Sequence, residues 1–136
     1  MDATAPQFLS PDTLPEPPGY SHVVSARPAR VVWTSGQVAM NADGTTAPPG
    51  DWEAQTRLAM ENVGRALAAA DAGWPDIVKL TFFVVDVSAL QTIRSVRDEF
   101  VDTERPPASS LVQVAALFRP DLLIEVEAVA CPADPA

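Results

Sequence analysis

The last apolar segment of the chain, residues 122–130, constrains the fold more than any other stretch. Every second position from Leu122 to Ala130 is hydrophobic, and the intervening positions include Glu125 and Glu127. Successive side chains of a β-strand point to opposite faces of a sheet, so this period of two predicts a strand with one apolar face and one face that carries both carboxylates. Helices are expected to cover the first face. The second face is too apolar for water, which predicts contact with another subunit.

Two segments with helical spacing can supply the covering layer. The first helix is predicted from Asp51, whose carboxylate can accept N–H groups of the first turn, to Gly73. Its apolar stripe contains Ala59, Val63, Ala66, Leu67 and Ala70. Ser88 and Gln91 form a capping box that predicts the start of a second helix, which ends before Pro106.

Four further stretches are rich in β-branched, aromatic or other apolar residues and predict strands over residues 21–26, 31–35, 77–85 and 110–117. With the last strand, the predicted order is β-β-α-β-α-β-β. Two helices on one face of a mixed sheet make an α+β fold.

The length of 136 residues predicts a single domain. Residues 1–18 contain five of the 14 prolines, which predicts an extended arm without ladder hydrogen bonds, lying on the domain or frayed from it. The domain itself is expected over residues 19–131, followed by a short polar tail at 132–136.

Composition disfavours several classes of function. A net charge of −9 disfavours binding to nucleic acid, and no stretch approaches the ~18 apolar residues that span a bilayer. The first residues lack the basic start and apolar segment of a signal peptide, and the single Cys131 fits a reducing compartment, so a cytoplasmic location is expected. The single His22 has no neighbouring catalytic motif. No cluster of metal ligands or glycine-rich phosphate loop is present, which predicts neither metal nor cofactor.

A series of short motifs runs in order from about residue 17 to residue 131, and together they resemble the successive signatures of the Rid family (reactive intermediate deaminases, also called YjgF-like). The motifs are Gly19-Tyr20-Ser21, Thr34-Ser35-Gly36-Gln37-Val38, Gln55-Thr56 with Glu61-Asn62, Ala72-Gly73, Val78-Lys79 with Asp86, Pro107-Ala108 with Val112-Gln113-Val114, and Ile124-Glu125-Val126-Glu127-Ala128-Val129-Ala130.

This resemblance implies a chorismate-mutase-like fold and a homotrimer with three small-molecule clefts between subunits. The reaction that it implies is cofactor-free hydrolysis of 2-enamine or 2-imine acids to 2-keto acids and ammonia. The water-positioning glutamate of the family corresponds to Glu125, and Tyr20 and Ser35 correspond to cleft-lining positions. The residues alone leave simpler interpretations open, with Glu125 and Glu127 as solvated carboxylates, Tyr20 as a packing anchor and Ser35 satisfying backbone groups.

The chain departs from the family pattern at the position of the arginine that clamps the substrate carboxylate, which here is Ser109, and next but one stands Leu111. Loss of such a charge-assisted contact predicts a decrease of roughly 10- to 1000-fold for a 2-imino acid. Three explanations remain: the ligand lacks a carboxylate, the activity is lost, or another arginine supplies the charge. The candidates for that arginine are Arg94, Arg97, Arg105 and Arg119.

Three functions therefore compete. The retained Glu125 favours an enzyme, a hydrolase or related acid–base catalyst acting on a small polarised substrate. Ser109 favours the alternative of a binding or regulatory trimer that uses the same clefts without turnover. An RNA-cleaving activity, which some names in the family suggest, conflicts with the acidic charge and with the absence of a catalytic histidine.

Overall fold

The computed structural model describes residues 5–133, which form nine regular elements joined by short connections. The strands are β1 (Gln7–Leu9), β2 (Val23–Ser25), β3 (Val32–Trp33), β4 (Gln37–Val38), β5 (Ile77–Val84), β6 (Ala108–Gln113) and β7 (Ile124–Ala130), and the helices are α1 (Trp52–Ala68) and α2 (Leu90–Arg97). Two short 3₁₀ turns, Trp74–Asp76 and Val87–Ala89, precede β5 and α2.

The main sheet is mixed, and its strand order is β3-β7-β5-β6, with β4 also paired to β7. β7 runs antiparallel to β3, β4 and β5, whereas β6 runs parallel to β5. The helices pack on one face of this sheet, so the predicted α+β fold is confirmed.

The alternation predicted for β7 is also confirmed. Its even-numbered residues, from Ile124 to Ala130, are buried in a core that includes Met60 and Leu67 of α1 and Ile93 of α2. The odd-numbered residues of β7 are only partly buried, and we call the sheet face to which they point the outer face.

The proline-rich segment differs from its prediction. Residues Gln7–Leu9 form a ladder with Val23–Ser25, so the expected absence of ladder hydrogen bonds in residues 1–18 is wrong at this point. The reason is local, since these three residues lie between Pro6 and Pro11 and contain no proline themselves. Most of the strand predicted over 21–26 accordingly pairs with the arm as β2, while Ser21 forms an isolated bridge to Ala108 at the start of β6.

The strand predicted over 31–35 is shorter in the structure, where β3 covers only Val32–Trp33 and an interruption separates it from β4. At the interruption, Thr34 N–H donates to the Ala128 carbonyl at 3.0 Å, while the Thr34 hydroxyl accepts from Ala128 N–H, also at 3.0 Å. A side chain thus replaces one backbone partner of β7, and the chain at Ser35 and Gly36 leaves the regular ladder.

The start of α1 is as predicted, because the Asp51 carboxylate accepts from Ala54 N–H at 2.9 Å. The capping box expected at Ser88 is wrong. The Asp86 carboxylate instead accepts from Ser88 N–H at 2.8 Å, so the chain enters a 3₁₀ turn before α2 begins. No helix within the described residues is long and apolar enough to cross a membrane.

Candidate functional site

Glu125 lies on the outer face of β7, half-buried, where the register places Val38 of β4 and Phe83 of β5 on either side of it. Its side chain packs directly on Gly36 at the interruption between β3 and β4. A Cβ atom at residue 36 would lie 2.6 Å from Glu125 Cδ and 2.7 Å from both Cγ and Oε2. Glycine is therefore needed at residue 36 for Glu125 to occupy this position.

The surroundings of Glu125 on the outer face are mostly uncovered in one chain. Trp33 is 71% exposed and stands opposite Val129, and Val112 is 45% exposed and stands next to Phe83. The ion pairs formed among residues 5–133 do not involve Glu125, so its carboxylate keeps its accepting capacity. Ser35, which precedes Gly36, is exposed.

A second group of predicted residues meets at a cavity of about 80 Å³ between β6 and α2. Ser109 and Leu111 project into it from β6, because the parallel register aligns them with Leu80 and Phe82, which point into the core. The full lining is Tyr20, Phe82, Leu90, Ile93, Arg94, Arg97, Ser109 and Leu111.

Tyr20 reaches the cavity because the chain before β2 is fastened to the start of β6. Ser21 N–H donates to the Pro107 carbonyl at 3.1 Å, and the Ser21 hydroxyl donates to the Pro106 carbonyl at 2.6 Å. The Tyr20 ring also meets the His22 ring edge-on at a centroid distance of 5.4 Å. A single short segment thus sets the position of Tyr20 against β6.

Arg97 is 8% exposed, and its guanidinium lies against Gly19 so closely that any Cβ there would overlap it. Its Nε and Nη2 both lie 3.0 Å from Asp98 Oδ1, and Nη2 also donates to the Pro18 carbonyl at 3.5 Å. Gly19 has a φ of +89°, a conformation that itself favours glycine. Arg97 therefore holds the segment that leads to Tyr20.

The other predicted arginines differ in placement. Arg94 lines the same cavity, half-buried, one helical turn before Arg97. Arg105 lies elsewhere, because it donates to the Pro6 carbonyl at 3.3 Å and stands 4.8 Å from the ring centre of Phe8. It borders a separate cavity of about 490 Å³ beneath the arm.

Arg119 is also engaged elsewhere, since it binds both carboxylate oxygens of Asp121, at 3.1 and 2.7 Å. This contact is the main reason that the pKa of Asp121 lies below its usual range. No group of three or more metal-binding side chains occurs in the part of the chain that the structure describes.

The predicted site residues thus fall into two groups on opposite faces of the sheet. Glu125 lies on the outer face, Ser35 lies in the interruption next to Gly36, and the cavity that contains Tyr20, Ser109 and Arg94 lies on the helical side. β6 and β7 flank β5, so the two groups are also separated laterally by roughly 10 Å. Within one chain the structure does not bring Glu125 next to Tyr20.

Sequence reasoning missed two features of these groups. The close packing of Glu125 on Gly36 is one, and its signal was a glycine directly after the strand predicted over 31–35. The other is the apolar wall of the cavity formed by Phe82, Leu90 and Ile93, which periodicity alone assigns to the core.

Comparison with known proteins identifies relatives along nearly the whole chain. A family model described as Endoribonuclease L-PSP matches residues 13–131. The putative reactive intermediate deaminase TdcF of Escherichia coli is 38% identical over 102 residues, which cover 74% of this chain and 78% of TdcF. The 2-iminobutanoate/2-iminopropanoate deaminase of Escherichia coli is 37% identical, with the same coverage of 74% and 78%.

Solved structures agree with these relatives. YyfB from Yersinia pestis, described as a protein of unknown function of the conserved Rid protein family, superposes with a TM-score of 0.82 at 34% identity, covering 93% of this chain and 98% of that one. The crystal structure of Escherichia coli TdcF with bound serine gives a TM-score of 0.68 at 33% identity, covering 93% and 99%.

Proposed function

Because the chain belongs to the Rid (YjgF-like) family of reactive intermediate deaminases, we propose that it hydrolyses a small 2-imino or 2-enamino acid to the 2-keto acid and ammonia without a cofactor. The observation that supports this most directly is Glu125. Its carboxylate is half-buried on the outer face, held against Gly36 and outside the ion pairs of the described chain.

Such a carboxylate suits the chemistry. The imine carbon is already electrophilic, so the protein has only to hold a water molecule and the substrate in line. Glu125 accepts a proton from the water as the water oxygen bonds to the imine carbon, and passes this proton to the nitrogen to give a carbinolamine. It then takes the hydroxyl proton of the carbinolamine and delivers it to the nitrogen as the C–N bond breaks, so that ammonia leaves and the carbonyl group forms. Water and the imine are thereby converted to a carbonyl group and ammonia, with Glu125 unchanged.

The division of the site over two faces supports a homotrimer in which each cleft joins two subunits. The outer face of one subunit, with Glu125, would lie against the Tyr20–Ser109 cavity of the next. The exposed Trp33 and Val112 give the outer face the apolar character that such a contact needs. Light scattering should then give roughly 44 kDa, three times the chain mass of 14.5 kDa. A 14.5 kDa species at micromolar concentration would contradict the shared cleft.

Substitution of the two groups tests the assignment of chemistry. Glu125→Gln keeps the shape and removes the base, so keto-acid release from imines made in situ by an amino-acid oxidase should decrease by roughly 10²–10⁴-fold. Glu127→Gln is the matched control, because the same change one strand repeat away should leave the rate within a few-fold. Near-normal turnover in Glu125→Gln would exclude the mechanism.

Mixed trimers test whether the cleft is shared. Glu125→Gln and Ser109→Trp, which should block the cavity, can be denatured, mixed in equal amounts and refolded together. With random assembly, about one quarter of the clefts combine Glu125 from a Ser109→Trp chain with Ser109 from a Glu125→Gln chain. Activity should therefore return to about a quarter of the wild-type value. If both groups acted within one chain, mixing would restore nothing.

The second candidate is a binding or regulatory trimer that uses the same clefts without turnover. The observation that favours it is Ser109, a neutral side chain where the family has its clamp. An RNA-cleaving activity has less support, because the net charge is −9 and a ring nitrogen of the single His22 is already engaged by the Pro15 carbonyl at 2.6 Å. If wild type and Glu125→Gln bind a ligand equally well and neither hydrolyses an imine, the result would favour a binding or regulatory trimer.

A further inference from the structure

We infer that Arg94 on α2 binds the carboxylate of the substrate, so that the cationic clamp of this chain is supplied by the helix and not by β6. This inference rests on the proposed function, and it specifies the substrate class as small monocarboxylates such as 2-imino and 2-oxo acids. It starts from the position of Ser109, whose hydroxyl borders the cavity but carries no charge.

Position excludes the alternatives among the predicted arginines. Arg105 is turned toward the arm, where it contacts Pro6 and Phe8, and Arg119 is held by Asp121 at the connection before β7. Only Arg94 and Arg97 share the cavity with Ser109 and Tyr20.

Arg97 and Arg94 differ in what their guanidinium groups already bind. Arg97 is paired with Asp98 and packed on Gly19, so its charge is compensated and its donors face the segment before Tyr20. The ion pairs and side-chain hydrogen bonds within residues 5–133 do not engage the guanidinium of Arg94. Arg94 is therefore the cation with donors left for a ligand, and Arg97 is a positioning residue.

Geometry and surroundings favour an anion at this point. Residues three apart on a helix lie on the same face, so Arg94 and Arg97 both line one cavity, where the charge of Arg94 is the uncompensated one and no carboxylate of the described residues is part of the lining. Phe82, Leu90 and Ile93 form an apolar wall that reduces competition from water and strengthens a charge-assisted hydrogen bond. The planar guanidinium can bind both oxygens of a carboxylate.

The size of the cavity limits what it can take. A volume of about 80 Å³ suits a short acid, whose reacting carbon has to lie at the mouth of the cavity if a neighbouring subunit is to reach it. In the proposed cleft this mouth leads to Glu125 of the neighbouring subunit. A short acid with its imine next to the carboxylate fits this division.

Binding of 2-oxobutanoate, a stable analogue of the reaction product, tests the inference without turnover. Isothermal titration should give a Kd that increases roughly 10- to 100-fold in Arg94→Ala, the worth of one charge-assisted contact. Arg94→Lys should be intermediate, because it keeps the charge and loses the bidentate geometry. Arg65→Ala is the control, since it removes an equal charge from an exposed ion pair on α1.

Binding and turnover together separate this inference from the proposed function. The uncharged analogue 2-oxobutanamide lacks the carboxylate, so its Kd should be the same for wild type and Arg94→Ala. Wild-type protein that binds 2-oxobutanoate through Arg94 but never hydrolyses an imine would contradict the proposed function alone. An unchanged Kd in Arg94→Ala, or no binding of 2-oxobutanoate at millimolar concentration by the wild type, would overturn the role of Arg94.

Discussion

Substitution of Gly36 is the most direct test of the placement of Glu125. In Gly36→Ala the new methyl group would lie 2.6 Å from Glu125 Cδ and 2.7 Å from Cγ. Carbon atoms pack at about 3.5–4.0 Å, so the glutamate side chain has to move by roughly 1 Å. Because Cγ is involved as well as the carboxylate, rotation of the end group alone cannot relieve the overlap.

The expected magnitudes follow from this displacement. A misplacement of about 1 Å in a catalytic group can reduce the rate on the order of 10²-fold. Overpacking decreases the free energy of unfolding by about 1–3 kcal/mol. Replacing glycine by alanine also restricts the unfolded chain, which increases the free energy of unfolding by about 0.4–1 kcal/mol. The net destabilisation of Gly36→Ala should therefore be on the order of 1 kcal/mol.

A double-mutant cycle isolates the contact. In a Glu125→Ala background the overlap is gone and only the unfolded-state effect remains, so Gly36→Ala should become neutral or stabilising by up to ~1 kcal/mol. The measurement is urea unfolding at one fixed protein concentration, because assembly would otherwise shift the midpoint.

Gly73→Ala is the matched control for the added methyl group. Its Cβ would meet only Pro75 Cδ at an ordinary 3.6 Å, and the φ of Gly73 is extended at −150°. This variant should keep wild-type activity. Equal destabilisation by Gly36→Ala in the wild-type and Glu125→Ala backgrounds would refute the reasoning, since the effect would then not depend on Glu125.

Three further predictions concern other parts of the chain. The pKa of Asp86 is lowered, chiefly by the hydrogen bond from the Ser88 backbone N–H, so this carboxylate stabilises the fold above the unfolded pKa of about 4 and loses that effect as pH falls through the folded pKa. The difference in urea midpoint between wild type and Asp86→Asn should therefore shrink from pH 6 to pH 3, and a constant difference would contradict this. Burial raises the pKa of the Cys131 thiol, so iodoacetamide at pH 8 should alkylate the native protein more slowly than the urea-unfolded protein, and equal rates would show that the thiol is not protected. Phe8→Ala removes the ring beneath Arg105 and with it a cation–π contact worth about 0.5–1 kcal/mol, so hydrogen exchange in β2 should increase. Leu9→Ala, at a side chain that is 45% exposed, should change this exchange little. Similar exchange in both variants would exclude the Phe8–Arg105 contact as an anchor of the arm.

The main elements of the fold could be predicted because their signals are local. The alternation in β7 and the apolar stripe of α1 each identify a face from a short stretch of sequence, and the observed core has those faces buried. Competition between neighbouring groups was harder to foresee. Asp86 replaced Ser88 at the start of the second helical segment because its carboxylate accepts the Ser88 N–H.

Interactions between distant segments account for the remaining differences. The pairing of Gln7–Leu9 with β2 joins residues about 16 positions apart, and neither strand has an alternating pattern long enough to predict this pairing. The interruption at Thr34 depends on a hydroxyl that meets Ala128, 94 residues further on. Such contacts depend on tertiary placement, which periodicity does not encode.

The candidate site shows the same division between local and distant information. Motifs identify Tyr20, Ser109 and Glu125 as positions of interest, but they do not say which face of the sheet each occupies. The choice between Arg94 and Arg97 depends on Asp98 and on the close approach of Gly19, which requires the arm to be folded against α2. Sequence could supply the set of arginines, and only the structure could rank them.

The acidic charge of the chain does not oppose binding of an acid at this cavity. Salt screens exposed charges beyond about 8 Å at physiological ionic strength, so most of the 18 acidic residues have little effect inside a partly enclosed cavity. The local balance decides instead. Arg94 and Arg97 line the cavity, and only Arg97 is compensated, by Asp98. One uncompensated charge favours a single carboxylate, whereas the acidic surface beyond the cavity disfavours ligands that carry more negative charge, such as nucleic acid. If Arg94 acts as proposed, the serine at residue 109 is therefore compatible with the same class of ligand.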